Sequence, residues 1–194
     1  MSDSRKLITL SIIAAFFSGI IYVNTSKAEG KTFSNEELVK RGKFLVEFGG
    51  CSDCHTPKIY TDHGPVPNAK LLLSGHPSTL ALPKYDYSSK PQGWSMTNEH
   101  LTAWVGPWGA SFAANITPDK STGIGNWTED IFVKAMRTGK HMGEGRPILP
   151  PMPWFNLMTL PEEDLKAIFA YLQSIPPVNN LVPPALTPDE LAKQ

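Results

Sequence analysis

The chain has 194 residues and only two cysteines, and both fall in "CSDCH", residues 51 to 55. Two thiols three positions apart, with a histidine directly after the second, restrict the local backbone and the chemistry together. A zinc site needs about four ligands, usually from a second Cys or His pair at similar spacing. There is no third cysteine, and His63, His76, His100 and His141 are scattered. A thioredoxin-like redox pair belongs at a helix start within a βαβ unit, whereas a helical pattern precedes Cys51. A structural disulfide across two intervening residues would close too small a loop to restrain the unfolded chain.

The N-terminus narrows the choice. Arg5 and Lys6 precede the uncharged run "LITLSIIAAFFSGIIYV", residues 7 to 23, and small residues follow at Ser26 and Ala28. This is the pattern of a secretory signal peptide, residues 1–28, cut after Ala28. The alternative is an uncleaved membrane anchor at 7–23, close to the lower length limit for a bilayer span. Either reading exports the remainder to a periplasm-like compartment, soluble after cleavage or anchored to the inner membrane. There, C-x-x-C-H is the signature of c-type haem attachment. Cys51 and Cys54 would join the two vinyl groups as thioethers, and His55 would be carried beneath the iron. One motif implies one covalent haem c.

A haem iron with one histidine leaves a sixth position, and methionine there is common in electron-transfer cytochromes. Met152 lies in "RPILPPMPW". Its flanking prolines fix φ and remove N–H donors, which bars a helix or central strand and holds the thioether in a rigid loop. Met152 is therefore the expected ligand, ahead of Met158 and Met142. Among histidines, His76 and His141 are the alternatives. Met136 falls inside a helical pattern, where core packing is the simpler role.

Eighteen prolines and fifteen glycines predict a loop-rich, mainly α fold with short helices, and 41% apolar residues are enough for a core. Equal counts of basic and acidic side chains, 18 each, give no basic footprint for nucleic acid. "SNEELVKRGKFLVEFGG" opens with a capping box, Ser34 and Glu37, and Leu38, Leu45 and Phe48, with Val39 and Phe44, make an apolar stripe. "TLPEEDLKAIFAYLQSIPP" carries acids in its first turn and a stripe of Leu165, Ile168, Phe169 and Leu172. "TEDIFVKAMRTGK" predicts a third helix, stopped by Gly139. Gly42 inside the first helix suggests close approach of another helix, at Tyr171 or Phe169. Residues 56 to 127 show no strong periodicity and read as loops, with Trp94, Trp104, Trp108 and Trp127 available to cover a haem. Residues 179–194 read as a C-terminal tail in which "TPDEL" adds a short helical turn.

In the order helix, "CSDCH", loops, "ANITPD", "GIGNWTEDIF", "PPMPW" and "EEDLKAIFAYLQSIPP", the chain resembles the class I cytochrome c family over about residues 34 to 178. It looks most like periplasmic c-type cytochromes that serve bacterial dehydrogenases as electron-accepting subunits or carriers. The resemblance implies a class I cytochrome c fold with loops wrapped round one haem. Cys51 and Cys54 would be the attachment points, His55 the proximal ligand and Met152 the distal one. It implies a crossing of the first and last helices near Gly42. It also implies a proline carbonyl, from Pro65 or Pro67, orienting His55, and Asn115, Thr117 and Trp127 beside the propionates. The function expected is one-electron transfer, not catalysis, with a dehydrogenase or terminal oxidase chain as redox partner. The alternative is a haem enzyme or sensor with an open sixth site. The 66–112 loop exceeds what a minimal cytochrome c needs, and docking on a dehydrogenase is one role for it.

Overall fold

Ser34 starts the first helix as its sequence requires. In the computed structural model, which describes residues 33–84, 86 and 93–193, Ser34 Oγ accepts from the Glu37 N–H at 3.3 Å and the Glu37 carboxylate accepts from the Ser34 N–H at 2.9 Å. The signal or anchor segment, 1–28 or 7–23, lies outside the described residues. Helix α1 spans Asn35–Phe48. Its buried face is set by Gly42 and Val46, not by the aromatic residues of the expected stripe. A Cβ at Gly42 would sit 1.8 Å from the Ala167 carbonyl oxygen and 2.8 Å from Tyr171 Cβ. Phe44, two residues on, lies about 200° round the helix from Gly42. Phe44 and Phe48 therefore stack on each other outside the core, with centroids 5.8 Å apart.

Against Gly42 crosses a long helix late in the chain, residues Glu162–Ser174, reached after three others. The first of these is the five-residue α2, Cys51–His55; the second is α3, Glu129–Thr138. α3 is capped by Thr128, whose hydroxyl accepts from the Ile131 N–H, and ended by Gly139 at φ +64°. The third, a short α4, Trp154–Leu157, precedes the long helix, which is α5. Glu162, Glu163 and Asp164 fill the first turn of α5, where the helix dipole favours acids. Its apolar stripe, Leu165, Ile168, Phe169 and Leu172, is buried with Val46, Leu73, Ile124, Phe132 and Met136. Arg41 on α1 clasps Asp164 through two N–H groups at 2.8 and 3.0 Å.

The described residues mix helix and strand, with helix the larger share. The stretch from 56 to 127, read as loops, holds two small antiparallel sheets. One is the hairpin β1 (Lys58–Thr61) with β2 (Gly64–Pro67). The other has three strands in the order β3 (Met96–Thr97), β4 (Ala103–Gly106), β5 (Gly109–Phe112). None exceeds four residues, and β5 reads Gly-Ala-Ser-Phe, so neither length nor alternation gives a strand signal. Val105 and Ala110 of this sheet form a second apolar cluster with Leu191.

Residues 179–194, read as a tail, complete that cluster. Ala110 and Leu186 exchange backbone hydrogen bonds at 2.9 Å each way. "TPDEL" forms α6, Pro188–Leu191, behind a Thr187–Glu190 capping box, and Leu191 is buried. Before it, Asn180 Nδ2 donates to the carbonyls of Ser74 and His76 at 2.7 and 2.8 Å, fastening the end of α5 to the loop after the hairpin. No helix among the described residues is long and apolar enough to cross a membrane.

Candidate functional site

The turn that carries both thiols is made by two glycines. Gly49 closes α1 by donating to the Leu45 carbonyl at 2.8 Å. Gly50 then takes φ +64° as the residue before α2, a left-handed geometry that a Cβ disfavours. The helix that follows is "CSDCH" itself, so Cys51, Cys54 and His55 are fixed along one turn. Both cysteines are free thiols, partly buried. Burial pushes the Cys51 thiol up to about 11, and raises Cys54 as well, with Asp53 adding to the burial and Lys58 opposing it. Both sulfurs are therefore protonated at neutral pH.

His55 is buried, and its Nδ1 donates to the Ala114 carbonyl at 2.7 Å. A carbonyl only accepts, so Nδ1 carries the proton. Burial holds the ring below the ordinary histidine pKa, against the pull of the Ala114 bond, which keeps it neutral. Nε2 then presents a lone pair, and no hydrogen bond to it is formed among the described residues. A backbone carbonyl fixing one ring nitrogen while the other stays free is how proteins orient a metal-binding imidazole. Donor set and orientation thus fit a haem held by two thioethers and one imidazole. The orienting carbonyl is not that of Pro65 or Pro67. Those prolines lie in β2, paired to Tyr60 and Lys58, and Ala114 has been brought in from beyond β5.

Met152 is half-buried, in a turn where its N–H donates to the Leu149 carbonyl at 3.3 Å. That loop is stitched on two sides. The Ile148 N–H donates to the Gly139 carbonyl at 2.8 Å, and Ser111 Oγ donates to the Pro150 carbonyl at 2.6 Å. Ser111 stands three residues before Ala114, at most about 10 Å of extended chain. One short stretch, 111–114, thus holds the His55 ring and the Met152 loop.

The other candidates are placed differently. His76 is buried with both ring nitrogens engaged: Nε2 donates to the Leu80 carbonyl at 2.7 Å and Nδ1 accepts from the Thr102 hydroxyl at 3.0 Å. His141 packs edge-on to Trp127 at 5.3 Å. Met142 and Met158 are exposed, at 45% and 40%. A surface cleft of about 500 Å³ along α3 includes His141 and Met142, but none of Cys51, Cys54, His55 and Met152 lines it. Asn115 and Thr117 are buried and bonded to each other and to the Val178 carbonyl. Trp127 packs against the main core, Trp108 lies over Gly106, and Trp94 is exposed. Ala114 and Ser111 escaped sequence reading because a backbone carbonyl and one hydroxyl leave no motif. Lys58 also escaped, although a cation three residues past a helix end is a readable sign of carbonyl capping.

No protein-family model matches the chain. Curated relatives do. The chain is 32% identical over 146 residues to the gluconate 2-dehydrogenase cytochrome c subunit of Pantoea cypripedii, covering 75% of this chain and 25% of that protein. Its homologues are cytochrome c subunits of bacterial dehydrogenases. The cytochrome c subunit of a quinone alcohol dehydrogenase from Gluconobacter oxydans is 27% identical over 161 residues, 82% of this chain and 26% of that protein. A diheme cytochrome c-type protein of Cereibacter sphaeroides is 26% identical over 167 residues, 86% and 46% of the two chains. The chain spans about a quarter of the length of the first two relatives. At this modest identity the cytochrome c likeness extends along most of the chain, from a different direction than the thiol–imidazole turn, and agrees with it.

Proposed function

We propose that this chain is an exported c-type cytochrome that passes single electrons between redox proteins, as the electron-accepting subunit or carrier of a periplasmic dehydrogenase or respiratory chain. The observation that carries this is the His55 ring, pinned through Nδ1 with Nε2 free, on the same turn as two protonated thiols. Cys51 and Cys54 would hold one haem c covalently, and His55 and Met152 would be its axial ligands. With two cysteines in the sequence, the chain itself offers attachment points for one haem. When bound, the haem supplies a one-electron couple at its iron. The chain supplies the rest. Ala114 aims the imidazole and burial keeps it neutral, Pro150 and Ile148 keep the Met152 loop in place, and the buried face of α1, α3 and α5 excludes water from behind the turn. The dehydrogenase partner rests on what the relatives are named for. Export rests on the N-terminal pattern.

Optical spectra of the purified holoprotein test the ligand set. Met152→Ala is expected to abolish the methionine–iron charge-transfer band of the oxidised form, while Met158→Ala keeps it. Loss in Met158→Ala with retention in Met152→Ala would reverse the assignment. A wild-type spectrum without the band would favour an open sixth position, the haem enzyme or sensor.

A further inference from the structure

Thr56 is extended, with φ −125° and ψ 122°, as a residue before proline must be. The chain therefore leaves α2 sharply and starts β1 at Lys58, whose stem folds back over the end of the helix. Its Nζ donates to the carbonyls of Asp53 and Thr56 at 2.7 Å each, to Ser52 at 3.3 Å and to His100 at 3.4 Å. Two carbonyls at 2.7 Å and two at 3.3 and 3.4 Å around one nitrogen suit a group with three donors and no acceptor, an ammonium, its third N–H shared between the longer pair. The Lys58 N–H is fixed too, donating to His100 Nδ1 at 3.2 Å. The last carbonyls of a helix lack intrahelical partners. In α2 one of them, that of His55, accepts from the Gly75 N–H at 2.7 Å, and Lys58 takes the others named. The carboxylate whose charge acts on Lys58 is that of Asp53, turned toward Gly50 at the start of the helix. No ion pair joins Asp53 to Lys58 among the described residues.

We propose that Lys58 is the positioning residue of this turn and sets its redox balance: its ammonium grips the carbonyls on both sides of Cys54 and His55, and its fixed charge favours the reduced state. The inference rests on the haem c reading above. Reduction brings one electron from the donor protein, with no bond made and no proton moved, so the site's charge falls by one. A positive charge held on the ligand-bearing backbone, partly out of water, stabilises the state of lower charge. A surface lysine on a free tether would be screened by salt and would do little.

The test is the midpoint potential of the holoprotein in wild type, Lys58→Met and Lys58→Arg. Lys58→Met, which keeps the stem and loses the charge, is expected to shift the reduced-to-oxidised ratio about tenfold toward oxidised, about 59 mV downward for a one-electron couple. Lys58→Arg should restore most of that shift. Equal potentials in wild type and Lys58→Met, or an arginine variant as low as the methionine one, would overturn the proposal. The grip itself is read without any variant, by NMR of the reduced wild-type protein. Slowly exchanging Lys58 ammonium protons coupled to the Asp53 and Thr56 carbonyls are expected, and a freely exchanging ammonium would overturn the proposal even if Lys58→Met failed to fold. Absence of covalent haem from the wild type would overturn the functional reading and this inference together. Loss of the charge effect with haem in place would overturn this inference alone.

Discussion

The helical layer and the sheet inserted after the thiol–histidine turn are built by different means. In the layer of α1, α3 and α5, local signals and tertiary demands coincide: a capping box starts α1, acids start α5, glycine stops α3, and the buried stripes meet at one core. In the β3–β4–β5 sheet the strands are two to four residues long, and β5 offers only glycine, alanine and serine before Phe112. Their partners, Leu186 and Leu191, lie some seventy-five residues or more along the chain. The first region is specified by side chains and the second by backbone pairing and chain return. The His55–Ala114 bond joins the two, so the imidazole is aimed by the region that the sequence describes least.

If that contrast is right, the largest single-residue loss belongs to the helical crossing. Gly42→Val places carbons against the Ala167 backbone, which cannot yield as a side chain would. A cost of about 3 kcal/mol is expected from such overpacking, read as a lower urea midpoint and less holoprotein recovered. A Gly42→Val protein as stable as wild type would show that α1 and α5 can separate, and the distinction between the regions would fail.

What the sequence disclosed follows the same division. The helices, Gly42's close approach and the helical turn at "TPDEL" were readable because each is a local pattern with a physical cause. The thiol–histidine turn was readable because three chemically rare residues stand together. The outward Phe44–Phe48 pair was misread, since periodicity counts apolar residues and cannot see that a glycine, with no side chain, marks the buried face. The strands, the Ala114 carbonyl and the Lys58 cap were invisible for a related reason. Each depends on a backbone group of a distant or featureless residue, and backbone groups are the same in every letter of the sequence.

A middle-sized effect should localise to the sheet. Leu191 is 6% exposed and closes the second cluster over Val105 and Ala110. Leu191→Ala is expected to cost about 2 kcal/mol, the low end for a buried leucine, because the cluster is small and near the surface. Hydrogen exchange should show where it acts. The Ala110 amide, bonded to Leu186, should exchange faster, while the amides of Leu165 and Ile168 in α5 keep their protection. Equal loosening of both sets would mean that the two regions unfold as one unit.

The smallest expected effect lies at the seam and depends on pH. His76 stands on the loop between hairpin and sheet, its ring spent on Leu80 and Thr102 and packed on Phe112 at 4.9 Å. Burial lowers its pKa, the Leu80 carbonyl opposes that, and His100 adds to it. The folded protein thus resists a proton that the unfolded chain accepts near pH 6.5. Where the unfolded state binds more protons, stability rises with pH. The His76 contribution is therefore whole above about pH 6.5 and is lost as pH falls through the lower folded value. His55 and His141, also lowered by burial, act in the same direction and leave some slope behind. Urea midpoints at pH 7.5 and 5.5 should differ in wild type and differ less in His76→Gln, whose amide can still donate to Leu80. The same gap in both proteins would mean that the seam holds against protonation, and that His76 packs there without taking part in the pH response.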